Sequence, residues 1–274
     1  MSHPSTTRPA VPFARRHAWL GVLVLGAVLF IAVERTMVAT QNPNLVPATI
    51  LLGAAVVPAA FVAFISGRRL PYTVGGAVLG ATAFLGGVIG IVVAGTLEFD
   101  AGRDLGTLPM LGVGLIEETS KLIIPLAVLL LLPRLRSRAN GLLLGVAAGA
   151  GFAALETMGY AFSTLIASHG SITDTVDTLL LRGFLSPAGH MAWTGITASA
   201  LFAAAASHWQ RRRVAEFGIA FLVAVGLHTL WDSQSSLLGM SVVAVVSLVV
   251  LGVAVHRSVD VAAERGAPIV VGTE

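Results

Sequence analysis

The segment Gly114-Leu-Ile-Glu-Glu-Thr-Ser-Lys-Leu-Ile-Ile-Pro-Leu126 places three charged side chains inside an otherwise apolar run from about residue 108 to residue 132. The three are Glu117, Glu118 and Lys121. Unpaired charges at that depth are costly, so such residues face a bundle interior or a water-filled cavity. At about 100° per residue, Lys121 falls between the two glutamates, and all three share one helix face. We therefore expect the rest of the chain to supply partners for this face.

The composition is that of a membrane protein with several spans. Of the 274 residues, 55% are hydrophobic and 11% charged, whereas soluble domains carry about 25% charge. The net charge of +3 does not indicate nucleic-acid binding, because the arginines are spread over short loops between apolar runs. The absence of cysteine excludes disulfides, thiolate metal ligands and a cysteine nucleophile.

Apolar runs of about 20 residues, the length that a hydrocarbon core requires, predict an all-α transmembrane bundle of eight helices. The predicted spans are 18–33, 45–65, 74–97, 108–132, 141–162, 185–207, 217–232 and 237–255. They imply an N-terminal arm (1–17), a single membrane-embedded domain (18–255) and a short tail (256–274). The first run also fits a cleaved signal peptide, but Glu34 and Arg35 follow it as they would follow an anchor.

The arginines predict the orientation of the bundle. Every second loop of the chain has few arginines and a larger number of acidic residues. The arginines on these loops are only Arg35, Arg103 and Arg182. The other loops and both terminal segments carry the remaining arginines. The positive-inside rule then places both termini in the cytoplasm.

Four more ionisable residues are predicted inside the membrane. Glu156 lies in the fifth span and His190 one turn into the sixth. His228 and Asp232 lie in the seventh at i and i+4, so they are neighbours on one helix face. Each residue alone also fits a structural role, such as a buried ion pair or a hydrogen bond near the headgroups. Because all four fall in the outer half of the membrane, we predict one shared functional site.

These residues lie in four short motifs. They are Glu117-Glu118-x-x-Lys121, Phe152-x-x-x-Glu156, His190-x-x-x-Thr194-Gly195 and His228-x-x-x-Asp232. In order and spacing the set resembles the motifs of the PrsW family of intramembrane proteases, over roughly residues 108–238. That family is distantly similar to the CAAX prenyl-protein proteases and the bacteriocin-processing membrane proteases.

The resemblance implies a multi-pass protein of the bacterial cytoplasmic membrane with a membrane-anchored, single-pass protein as its substrate. In the best understood case the substrate is an anti-sigma factor, whose cleavage releases a stress sigma factor. The outward position of the polar residues predicts cleavage near the extracytoplasmic end of the substrate's membrane helix.

Peptide hydrolysis requires an activated water and stabilisation of a developing oxyanion. Without cysteine, and without a Ser–His–Asp order, covalent catalysis is unsupported. A carboxylate base remains: Glu117 or Glu118 would take the proton from water, and Lys121 would keep the pair ionised.

Two versions of this chemistry remain open. In one, His190, His228 and a carboxylate, Glu156 or Asp232, bind Zn²⁺ and leave a position for water. In the other no metal takes part, and His190 or His228 donates to the oxyanion. The chain lacks His-Glu-x-x-His, the strongest zinc-protease motif.

Two other functions are compatible with the sequence. Intramembrane charges also occur in proton- or cation-coupled transporters, although the chain has no detectable internal repeat. A non-catalytic scaffold could bind a partner helix through the glycine-rich third span, where Gly76-x-x-x-Gly80 and Gly86-x-x-x-Gly90 have the spacing of close helix contacts. The sequence favours the protease over both.

Overall fold

The computed structural model describes residues 12–106 and 109–264, with side chains to residue 259, and in this part of the chain ten α-helices form and no strand. The helices are α1 (Phe13–Thr40), α2 (Val46–Ser66), α3 (Gly76–Leu105), α4 (Met110–Lys121), α5 (Ile123–Leu131), α6 (Arg138–Ala167), α7 (Ile172–Leu185), α8 (His190–Ala206), α9 (Arg211–Asp232) and α10 (Leu237–Glu264). This confirms the predicted all-α membrane bundle. Most of the predicted arm, Leu108 and the end of the tail lie outside the described residues.

Six of the described helices are long and apolar enough to cross a membrane: α1, α2 with the turn before it, α3, α6, α9 and α10. Many of their large apolar side chains are exposed, a pattern expected for surfaces that face lipid rather than water. The other two predicted spans differ from these six. The fourth is divided into α4 and α5, and the sixth, α8, has 17 residues and is buried on all sides.

The division between α4 and α5 has a local cause. Pro125 has no N–H to donate to the carbonyl of Lys121, four residues earlier, so the regular helix stops there. Leu122 separates the two helices. Its backbone N–H donates to the carbonyl of Thr119 at 3.1 Å, three residues earlier rather than the four of a regular α-helix. The break leaves Lys121 at the C-terminal end of α4, with both glutamates in its last turn.

Helix α6 is the centre of the bundle, and α8 packs closely along it. Gly145 and Gly149 form part of this interface. A Cβ atom at Gly145 would overlap the carbonyl of Thr194, and one at Gly149 would overlap the carbonyl of His190. Backbone therefore packs on backbone, and this contact fixes where α8 begins relative to α6.

The glycines of α3 divide into two groups. Gly86 faces Ala148 of α6 and Gly90 faces the ring of Phe152, with too little room for a Cβ at either position. Gly76 and Gly80 have open space around them. The small-residue spacing thus predicts close packing correctly for the second pair of glycines and not for the first.

Candidate active site

The two glutamates and the lysine of α4 are buried together. The side chains of Lys121 and Glu118 are 0% and 1% exposed. Lys121 Nζ lies 2.8 Å from Glu118 Oε1 and 3.1 Å from Glu117 Oε2. The single lysine of the chain therefore pairs with both carboxylates, and the paired charges lower the cost of burial.

His228 of α9 lies against both glutamates. Its Nδ1 is 2.8 Å from Glu118 Oε1, and its Nε2 is 3.4 Å from Glu117 Oε2. Asp232, one turn later on α9, places Oδ2 3.2 Å from the same Nε2. The imidazole of His228 stacks on Trp193 with the ring centroids 4.8 Å apart, so packing and hydrogen bonds hold it in one orientation.

His190 is the first residue of α8, next to the glycine contact with α6. Its Nδ1 accepts a hydrogen bond from Lys121 Nζ at 2.7 Å, and its Nε2 is 2.8 Å from Glu156 Oε2. Arg182 of α7 donates to the same Glu156 oxygen at 2.6 Å. His190 is thus held between the lysine of α4 and a carboxylate of α6.

All seven predicted site residues therefore lie in one connected cluster at the junction of α4, α6, α8 and α9. Within it, Glu117, His190 and His228 each offer a ligand atom, and these three atoms lie within 4.8 Å of one another. Glu118 has a buried oxygen, Oε2, that accepts no hydrogen bond, whereas the corresponding oxygen of Glu117 lies beside the Lys121 ammonium at 3.1 Å. A buried carboxylate oxygen that accepts no hydrogen bond is uncommon, and Glu118 Oε2 is therefore a place where water or a cation can bind.

The comparisons with known proteins agree with this geometry. The model of the family described as "PrsW family intramembrane metalloprotease" matches residues 44–256, well over half of the chain. The chain belongs to the PrsW family. No curated protein and no solved structure matches it significantly. As a PrsW family member it is a multi-pass membrane protein and a peptidase, which confirms the resemblance and extends it from residues 108–238 to α2 and to most of α10.

The residues of this PrsW protein fit the metal that the family description implies. Two histidines, a carboxylate and an open position form the usual donor set of a catalytic zinc site. Two carboxylates, from Glu117 and Asp232, lie within 3.4 Å of His228 Nε2, so this nitrogen carries either a proton that it donates to them or a bound cation. Lys121 Nζ contacts two of the three donors, so binding an ion requires Lys121 to give up those contacts.

The structure places the four ligands predicted from the sequence in different positions. His190, His228 and Asp232 point donor atoms toward the same region as Glu117. Glu156 contacts the Nε2 atom of His190, on the opposite side of the ring from the Nδ1 atom that lies near Glu117. Glu156 thus lies on the far side of the His190 ring, and Glu117 is the carboxylate that lies near both histidines.

Sequence reasoning missed three neighbours of the site. Arg182 was assigned to an outer loop, but it lies on α7 and pairs with Glu156. Trp193 occupies an unspecified position of the third motif, and it stacks on His228. Glu98 was placed beyond the third span, but α3 continues to Leu105, and Glu98 has a buried Oε1 without a hydrogen-bond partner. The sequence contains a signal for this placement, because Glu98 follows the small residues 86, 90 and 94 at intervals of four, which puts all four positions on one face of α3.

Proposed function

We propose that this protease hydrolyses a peptide bond near the extracytoplasmic end of the membrane helix of a single-pass protein. The observation that carries the proposal is the convergence of Glu117, His190 and His228 donor atoms at one buried point. The arginine distribution supports the outward location, because the loops next to the ends of α8 and α9 that carry the site are poor in arginine.

The metal-binding roles are proposed from the placement of the side chains. Glu117, His190 and His228 would hold a divalent ion, Zn²⁺ by the donor set, with Asp232 as a further oxygen donor beside His228. Such an ion, when bound, polarises a carbonyl and lowers the pKa of water toward about 7. Glu156 positions His190, because its carboxylate accepts a hydrogen bond from Nε2–H and so keeps the lone pair on Nδ1, the nitrogen that would bind the ion.

Glu118 is proposed as the general base. Its Oε1 accepts hydrogen bonds from Lys121 and from His228, both at 2.8 Å. Its Oε2 accepts none, so this oxygen is available for the proton of the attacking water. Lys121 keeps Glu118 ionised and, as a buried cation, stabilises the negative charge that develops on the carbonyl oxygen.

The substrate class follows from the resemblance and from the depth of the site. An anti-sigma-factor-like protein of the bacterial cytoplasmic membrane, with one membrane helix, is the proposed substrate. A site enclosed by helices requires the substrate segment to unwind, since a helical backbone hides its carbonyls in internal hydrogen bonds.

The test compares newly formed peptide N-termini in membranes and medium from cells with the wild-type protein or with E118Q, at equal protein abundance. The proposal predicts a small set of termini next to the outer end of single-pass membrane helices that appear only with wild type. Termini that map to the cytoplasmic side would refute the proposed location. Identical sets under several envelope stresses would refute the proposed substrate class.

A parallel measurement separates the two versions of the chemistry. Purified wild-type protein that retains about one equivalent of zinc, and loses cleavage after chelation, supports the metal site. Cleavage that persists after complete chelation supports the version in which a glutamate alone activates water.

A further inference from the structure

A cavity lies away from the active site, where α9 and α10 flank α8. It has a volume of about 230 Å³. Its walls are two helix stripes with the same spacing: residues 216, 219, 220 and 223 on α9, and residues 250, 253, 254 and 257 on α10. Ile196 and Ala200 of α8 form its floor. We call this cavity the α9–α10 groove.

The groove is apolar along its length and charged at one end. Ile219 and Val253, on opposite walls, are 63% and 46% exposed, so the groove opens to the surface of the bundle. At the charged end lie Arg138, Glu216 and Arg257. A lipid molecule has the same arrangement as this groove, because its apolar acyl chains are attached to a charged headgroup at one end.

Positive charge exceeds negative charge at this end. Glu216 is the shared partner of Arg138, Arg213 and Arg212, at 3.0, 2.7 and 3.7 Å. A fourth arginine, Arg257, is close enough to Arg138 for their charges to repel. Among the side chains that the structure describes, which end at residue 259, no carboxylate forms an ion pair with Arg257. Three guanidinium groups thus share one carboxylate and a fourth lies near them, so an anion would relieve the repulsion among them.

We propose that the α9–α10 groove binds one anionic phospholipid, with its phosphate at Arg138 and Arg257 and an acyl chain along α8. Guanidinium groups bind phosphate oxygens in a bidentate manner, and basic pockets between membrane helices bind anionic headgroups. The bound lipid holds α8 to α9, the two helices that carry His190 and His228. The groove is separate from the active site, and the proposal does not depend on the substrate.

The experiment titrates delipidated protein in neutral detergent with phosphatidylglycerol or phosphatidylethanolamine of the same acyl chains, and reads bound lipid by native mass spectrometry. We expect saturable binding of one phosphatidylglycerol, and weaker binding of phosphatidylethanolamine. R257Q should weaken the phosphatidylglycerol complex about fivefold. R211Q is the matched control, because Arg211 is an exposed arginine of α9 that does not line the groove.

A second variant tests the acyl-chain part of the site without changing charge. A220F fills the apolar wall and should weaken phosphatidylglycerol binding while the protein keeps its helical content. Equal binding of the two lipids would overturn the proposal. So would equal losses in R257Q and R211Q, which would show diffuse attraction of anionic lipid to the arginine-rich side, or unchanged binding in A220F.

Discussion

The Nζ atom of Lys121 lies 2.7 Å from Nδ1 of His190. An ammonium group has donors and no acceptor, so Nδ1 must carry the lone pair. The ring proton of a neutral His190 is then on Nε2, where Glu156 Oε2 lies at 2.8 Å. Lys121 and Glu156 therefore select one tautomer of His190, and the nitrogen that faces the other site residues is the one able to bind a cation.

Removal of the lysine charge should destabilise the protein unless a metal replaces it. K121M leaves the Glu117 and Glu118 carboxylates buried together, and loss of one partner of a buried ion pair costs about 3–5 kcal/mol. We expect a lower unfolding temperature in chelator and a partial recovery in Zn²⁺, because an ion can take over the contacts with Glu117 and His190. Thermal unfolding in detergent measures both.

The control for this prediction is R103Q. Arg103 pairs with Asp100 and Asp104, but its side chain is 63% exposed, and exposed pairs contribute about 0–1 kcal/mol. Its unfolding temperature should stay near that of wild type in both conditions. Recovery of K121M by Mg²⁺ to the same extent as by Zn²⁺ would count against a site with histidine ligands.

The two glutamates should separate into a metal ligand and a base. E117Q removes the carboxylate that shares the donor site with both histidines, so both zinc affinity and cleavage should be lost. E118Q should reduce cleavage about 10²–10⁴-fold, the usual contribution of a general base, with a smaller loss of zinc. Zinc titration and cleavage rate, measured on the same preparations, give the two readouts. The reverse pattern would exchange the two roles.

The sequence predicted the helical membrane fold, and which charged side chains lie together, for a simple physical reason. Charges such as Glu117 and His228 stand out in apolar helices, because a membrane segment tolerates few of them. The positions of the motifs along the chain then predicted which helices lie next to one another at the site. All seven predicted residues lie in one cluster, although their individual roles remain predictions.

The sequence did not predict the features that depend on tertiary contacts. Helix α7 contains Asp174, Asp177 and Arg182, so its apolar content was too low for a span. The break at Leu122 was also missed, because the apolar pattern continues through Pro125. Glu117 and Glu156 lie on opposite sides of the His190 ring. Which carboxylate faces which nitrogen depends on the orientation of the ring, and residue spacing does not determine ring orientation.

The carboxylate behind His190 should affect metal binding without acting as a ligand. In E156Q the hydrogen bond to Nε2 is weakened and Arg182 loses its charged partner. Loss of such an outer partner typically costs 10–100-fold in metal affinity or activity, so we expect zinc binding to weaken within that range rather than disappear. Y160F is the control, because Tyr160 is one turn further along α6 and 51% exposed. An equal effect of Y160F would indicate a general disturbance of α6.

Two glycines of α6 should respond in opposite ways to the same substitution. In G149A the new Cβ meets the backbone carbonyl of His190, which cannot move without shifting the start of α8. Overpacking of this kind costs about 1–3 kcal/mol, and cleavage should fall further because His190 is displaced. In G159A the new Cβ meets nothing within 4 Å, and alanine in a helix is favoured over glycine by about 1 kcal/mol. Unfolding and cleavage of the two variants, measured together, therefore test whether backbone contact between α6 and α8 sets the position of the histidine. A G149A protein with wild-type activity would show that it does not.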